Sequence, residues 1–174
     1  MSELRATQLI RNIQDFPVEG VLFRDITPVL LNPEAMGEVL ARMVDTARSL
    51  SPEIIAGIES RGFLFGVPIA QALGVGFVPI RKPGKLPYDR ISETYSLEYG
   101  SNTIEMHTDA VAAGQRVLIV DDLLATGGTT RAACNLVERS GGVVAGVSFV
   151  IELNFLYGRK LLDGYSVHSL IQYD

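Results

Sequence analysis

Two carboxylates stand beside a small, glycine-rich turn in VLIVDDLLATGGTT, Val117 to Thr130. A turn of this kind ahead of a helix is how a chain holds a phosphate. Its backbone N–H groups close on the anion, and the helix N-terminus adds partial positive charge. Ala125, Thr126, Gly127, Gly128 and Thr129 are small enough for that closure. Asp121 and Asp122 sit at the mouth, where a phosphate alone gives no use for negative charge. No Lys follows the glycines, so this is not a Walker A loop, and the spacing is not G-x-G-x-x-G. The plain alternative is a strand-to-helix turn capped by Asp.

A second anion signal lies upstream. The chain has three lysines, Lys82, Lys85 and Lys160, and the first two fall in RKPGK beside Arg81. In a chain of net charge −5, cations gathered around Pro83-Gly84 read either as a solvated loop or as a loop that meets an anion. A third candidate is ESRGF, 59–63, where Ser60, Arg61 and Gly62 offer a hydroxyl, a guanidinium and backbone donors at a helix start. Taken alone, Arg61 also reads as a surface ion-pair residue.

These residues need elements to carry them. An amphipathic helix is expected over 3–13, broken by Phe16-Pro17 and Gly20. NPEAMGEVLARMVDTARSL has Asn32 as N-cap, Pro33 at the first helical position and an apolar stripe from Met36 to Ala47. Buried strands are expected at 53–58, 75–82, 115–122, 143–153 and 165–171, with helices at 61–73 and 129–141. ETYSLEYG and NTIEMHT read as two arms of an antiparallel hairpin around Gly100-Ser101. Strands alternating with helices imply an α/β fold with a mainly parallel five-stranded sheet flanked by helices. Ligands in such sheets sit at the carboxyl ends of strands, where Glu59-Ser60, Arg81-Lys82 and Asp121-Asp122 all fall.

With these motifs in hand, VLIVDDLLATGGTT resembles the phosphoribosyl pyrophosphate (PRPP) motif of the type I phosphoribosyltransferases. DDLLATGGT is similar to that of the adenine phosphoribosyltransferases, and FRDITPVL (23–30), ESRGF, RKPGKLP (81–87) and YSLEYG (95–100) match that family in the same order. The resemblance runs from Phe16 to about Leu162. It implies a single domain, with a small N-terminal hood over about 1–32, a core over about 33–174 and a flexible hairpin loop. It also implies that Asp121 and Asp122 hold the ribose hydroxyls, that residues 125–129 hold the 5-phosphate, and that a non-proline cis peptide lies in the ESRGF loop. Ser60, Arg61, Gly62, Arg81, Lys82 and Lys85 become pyrophosphate contacts, with Arg81 reaching toward a neighbouring subunit in a homodimer. From the residues alone Phe23 beside Arg24 reads as packing. The resemblance makes Phe23 a stack on adenine, with the main chain of Leu22 and Arg24 at its edge and Leu156 as an opposite apolar face.

Ala125 sharpens the proton-transfer question. The hypoxanthine-guanine relatives carry an Asp there, so this chain lacks that acid/base. Glu98, in the hairpin, is the carboxylate left to serve the purine imidazole. The implied reaction is adenine plus PRPP to AMP and pyrophosphate. Mg²⁺ is expected to be held mainly by PRPP oxygens and water, with Asp121 and Asp122 as weak contacts. Two rivals are a preference for xanthine or hypoxanthine, and a non-catalytic PRPP sensor.

Composition bounds the rest. At 174 residues, 47% hydrophobic and 20% charged, the chain has material for one full core and no sign of disorder. The acidic balance argues against nucleic-acid or membrane-surface partners. The apolar run at 141–151 is too short to span a bilayer. With Cys134 as its sole cysteine and no signal-peptide pattern, the chain is expected to be cytoplasmic. His107 and His168 lack partners at metal-ligand spacing, and Cys134 reads as a buried small hydrophobe.

Overall fold

The computed structural model describes residues 3–96 and 100–174. They divide into two units, one up to Arg42 and one from Met43 to Asp174.

In the first unit, α1 (Arg5–Leu9) is followed by β1 (Arg11–Gln14), β2 (Leu22–Asp25) and α2 (Thr27–Leu31), and α3 (Pro33–Leu50) begins. The helix expected over 3–13 therefore stops at Leu9, because Ile10 turns extended at φ −62°, ψ 121°. The chain gains more by pairing β1 with β2. Opposite each other across that ladder are Arg11 and Asp25, and Asn12 and Arg24. Arg11 makes an ion pair of 2.7 Å with Asp25, and Arg24 donates to Asn12. Such cross-strand pairs override a modest helical pattern. At α3 the Asn32 side chain accepts from the amides of Glu34 and Ala35, capping the helix as its sequence implied.

The second unit holds β3 (Ile54–Ile58), α4 (Arg61–Leu73), β4 (Gly76–Ile80), β5 (Arg90–Ser96), β6 (Ser101–His107), β7 (Arg116–Leu124), α5 (Gly128–Arg139), β8 (Val143–Leu153) and β9 (Val167–Tyr173). Two 3₁₀ turns, Asn154–Leu156 and Gly158–Leu162, join β8 to β9. The five-stranded sheet has the order β4-β3-β7-β8-β9, and every pair in it is parallel. β5 and β6 form a separate antiparallel hairpin, with Ser96 opposite Ser101. The expected α/β class, the five parallel strands and the hairpin are all present.

β3 is buried along its whole length, as a central parallel strand flanked on both faces must be. Its apolar side chains join those of β7, β8 and α5 in one core that includes Ile119, Phe149, Leu136 and Cys134. Two boundaries differ from expectation in ways that matter for the site. β4 ends at Ile80, so Arg81 keeps only a single bridge to Glu105 and the cations that follow lie in a loop. β7 runs on to Leu124, because Leu123 and Leu124 continue the ladder opposite Ile151 and Glu152. Asp121 and Asp122 therefore lie inside a hydrogen-bonded strand rather than at its last two positions. Among the described residues, no helix is long and apolar enough to cross a membrane.

Candidate active site

The turn after β7 is a cradle. Asp121, Leu123, Ala125, Thr126, Gly127, Gly128, Thr129 and Thr130 line a hollow of about 70 Å³, roughly twice the volume of a liquid water. Among the described residues no basic side chain lines it, so an anion there falls to backbone N–H groups, the hydroxyls of Thr126, Thr129 and Thr130, and the N-terminus of α5. Gly127 takes φ +86°, a left-handed conformation that L side chains avoid. A Cβ on Gly127 would lie 2.5 Å from the Gly158 carbonyl oxygen, and one on Gly158 would strike the Ala125 carbonyl. The cradle thus rests directly on the 3₁₀ turn at 158, a dependence that sequence reading missed. That turn is fixed through the buried Glu152: the exposed Arg159 donates to both of its oxygens at 2.6 and 2.7 Å, and Ser169 adds a third bond. Burial pushes the Glu152 carboxyl up, but Arg159 and Ser169 outweigh it and hold its pKa below the ordinary value.

Successive residues of a strand point to opposite faces, and the two aspartates separate accordingly. Asp121 lines the cleft described below. Asp122 is 3% exposed and pairs with Arg61, Nε to Oδ2, at 2.9 Å. Gly62 allows this close approach, since a Cβ there would lie 2.6 Å from the Val120 carbonyl oxygen. Burial, and then the charge of Asp122, push the Asp121 carboxyl well above the ordinary aspartate range. Burial also raises Asp122, with Arg61 opposing it. The Glu59–Ser60 peptide is cis, as the resemblance implied.

The cation loop is held by two carboxylates that sequence reading left without a role. Glu59, at the end of β3, accepts from Arg81 Nε at 3.1 Å and from the Lys82 amide at 3.0 Å through Oε2, while Oε1 lies 3.1 Å from Lys85 Nζ. Glu105 on β6, 7% exposed, accepts from the Gly84 amide and pairs with Arg90, both at 3.1 Å. Burial raises the Glu59 carboxyl, but the Lys82 amide, Lys85 and Arg81 together bring its pKa below the ordinary value. Periodicity carried no sign of either role, because β3 and β6 lie far from the loop in sequence.

Between loop and cradle lies a cleft of about 460 Å³. Glu59 and Lys82 line it together with Asp121, Tyr95, Thr103 and Thr129, and Asp121 and Thr129 also line the cradle. The hairpin closes one side. Tyr95 Oη lies 2.7 Å from Thr129 Oγ1, and Glu93 accepts from Asn135 and Arg139 of α5 at 2.8 Å each. Glu98 lies outside the described residues. Of the other expected contacts, Ser60 stands at the position before α4 without a side-chain capping bond, and Leu156, 38% exposed, ends the first 3₁₀ turn. In the first unit, Leu22, Phe23 and Arg24 share β2, and the Phe23 ring packs edge-on against Phe16 at 5.1 Å.

The remaining candidates stay structural. Cys134 is fully buried, and burial pushes its thiol up to about 12. His168 Nε2 lies 2.8 Å from Ser166 Oγ, and His107 packs against Tyr88. Among the described residues, no group of three or more His, Cys, Asp or Glu side chains is arranged to hold a metal ion.

A cradle for one phosphate, a carboxylate facing the cleft and a cation loop opposite is an arrangement for a phosphorylated sugar carrying a second anion. The family model for the phosphoribosyl transferase domain matches residues 30–159. The adenine phosphoribosyltransferase of Desulfitobacterium hafniense (strain Y51) is 56% identical over 173 residues, covering 99% of this chain and all of the relative. The crystal structure of adenine phosphoribosyltransferase from Thermoanaerobacter pseudethanolicus superposes with a TM-score of 0.94 at 52% identity, over 97% of this chain and 98% of that one. The Trypanosoma brucei adenine phosphoribosyl transferase, solved in complex with AMP, pyrophosphate and ribose-5-phosphate, gives 0.89 at 29% identity, over 98% and 80%. The chain belongs to the phosphoribosyltransferase family and, within it, to the adenine phosphoribosyltransferases.

Proposed function

We infer that this chain transfers the 5-phosphoribosyl group of PRPP to adenine, giving AMP and pyrophosphate, a purine-salvage reaction. The observation that carries this reading is that the cleft reached by the cation loop and the phosphate cradle adjoin, with Asp121 and Thr129 lining both. A ribose with an anion at each end suits two adjoining anion sites of this kind. Residues 125–129 take the 5-phosphate through backbone donors. Asp121 and Asp122 serve the ribose hydroxyls and the positive charge that grows on the sugar as the bond to pyrophosphate breaks. Ser60, Arg61, Gly62, Arg81, Lys82 and Lys85 are our candidates for the pyrophosphate. Adenine N9 attacks C1 and the C1–O electron pair leaves with pyrophosphate. Glu98 takes the proton from the purine imidazole.

For the base we propose Phe23, the main chain of Leu22 and Arg24, and Leu156, the positions that the family resemblance assigns. Ala125, seated in the cradle, offers no carboxylate at its own position for the purine N7. Mg²⁺ fits the donor set as an ion bound chiefly by PRPP oxygens and water, with Asp121 the carboxylate open to it, since Asp122 is engaged by Arg61. Such an ion supplies charge neutralisation to the pyrophosphate. We also propose a homodimer, for which Leu64 and Val67, 44% and 48% exposed on the same side of α4, offer apolar surface. A reduced, cytoplasmic setting suits the free, buried Cys134.

The deciding experiment measures pyrophosphate release with adenine, hypoxanthine and xanthine in turn. Release with adenine is expected. No release with adenine overturns the reading, and release confined to another purine moves the substrate. Glu98→Gln is expected to keep PRPP binding and lose most turnover, and turnover like the parent removes Glu98 from the acid/base role.

A further inference from the structure

We propose that Glu59 competes with pyrophosphate for Arg81 and Lys85, weakening the hold of the site on its leaving group. The proposal rests on the reading of the 81–85 loop as the pyrophosphate site. Glu59 is the natural rival because it presents the same chemistry. One carboxylate oxygen sits 3.1 Å from Lys85 Nζ, and the other takes Arg81 Nε at 3.1 Å and the Lys82 amide at 3.0 Å. A terminal phosphoryl group offers oxygens of the same kind with more charge. Two of the three loop cations are thus answered by one side chain at the rim of the cleft that pyrophosphate has to use.

The exposures show which partner is fixed. The Glu59 side chain is 10% exposed, while those of Arg81 and Lys85 are 33% and 50% exposed. The carboxylate is anchored at the end of β3, and the cations are the parts able to turn toward the cleft. A bare loop of three cations would repel itself and grip an anion tightly. With Glu59 present, binding pyrophosphate includes separating two ion pairs, so affinity falls and release quickens.

Glu59→Gln isolates the charge. The amide oxygen still accepts from the Lys82 N–H, and the half-exposed cations are solvated by water rather than left buried and unpaired. Isothermal titration of the full-length protein with magnesium pyrophosphate is expected to show binding about three- to tenfold tighter in the variant at low salt, with the gap narrowing as ionic strength rises. Ribose 5-phosphate, assigned to the cradle, whose lining does not include Glu59, is expected to bind both proteins alike. A general loosening of the fold would instead weaken both ligands. If Glu59→Gln proves unstable, Glu59→Asp draws the carboxylate back from Lys85 and is expected to tighten pyrophosphate about twofold. Pyrophosphate bound equally or more weakly in a folded variant overturns the proposal. Lys85→Ala separates the two levels: unchanged pyrophosphate binding there overturns the reading of the loop itself, whatever Glu59 does.

Discussion

Arg61 at the head of α4 and Asp122 near the end of β7 are joined by an ion pair of 2.9 Å, with Asp122 almost wholly buried. The pair ties the first turn of the helix to the strand that carries the sugar-facing carboxylate. Arg61→Gln leaves Asp122 without its cation, and the expected loss is about 2 kcal/mol near neutral pH. Asp122 already has a raised pKa in the folded protein, so the folded state binds the extra proton. The deficit is therefore greatest above the ordinary aspartate range and shrinks as pH falls. Thermal unfolding at several pH values, variant beside parent, measures this.

The raised Asp121 carboxyl gives PRPP binding an acid limb. Burial and the Asp122 charge favour its protonated form, and the ribose and Mg²⁺ contacts we propose for it need the ionised one. The apparent affinity for PRPP is expected to decline as pH falls through a value above the ordinary aspartate pKa of about 3.9. Asp121→Asn is expected to weaken PRPP at all pH values and to remove this limb. A profile of 1/KM for PRPP against pH tests both parts.

The contact between Gly127 and Gly158 leaves no room for a methyl group on either residue. Gly127→Ala meets the Gly158 carbonyl and must also adopt φ +86°. A loss of about 2 kcal/mol in stability is expected, with a raised KM for PRPP because the cradle shifts. Gly158→Ala is expected to act on the same cradle from the other side through the Ala125 carbonyl. Pyrophosphate affinity, measured in parallel, is expected to hold in both variants.

Arg159→Met tests the support beneath that turn. It leaves Glu152, 3% exposed, without a cation, which costs about 3 kcal/mol. In the parent the Glu152 pKa is lowered, so its contribution to stability is full above the unfolded value of about 4.3 and fades as pH falls through the lower folded value. In the variant only Ser169 remains to oppose burial, so that pKa rises relative to the parent. The difference in unfolding temperature between the two proteins is expected to narrow from pH 7 toward pH 4.

What the sequence determined by itself was local. Runs such as IIAGI and VLIVDD mark buried strands because both faces of a parallel strand are covered, and Asn32-Pro33 starts a helix because cap and ring geometry act within one turn. The cradle was legible for the same reason: its donors, small residues and helix dipole all lie within a few residues. Only the tertiary structure decided the strand order β4-β3-β7-β8-β9, the break of the first helix at Ile10, and the partners of the charges. Arg61 pairs with Asp122, Glu59 with Arg81 and Lys85, and Gly158 seats Gly127, across separations of more than twenty residues. Those choices depend on which strands lie side by side, and a charge or a glycine shows its partner only once the sheet has brought the two together.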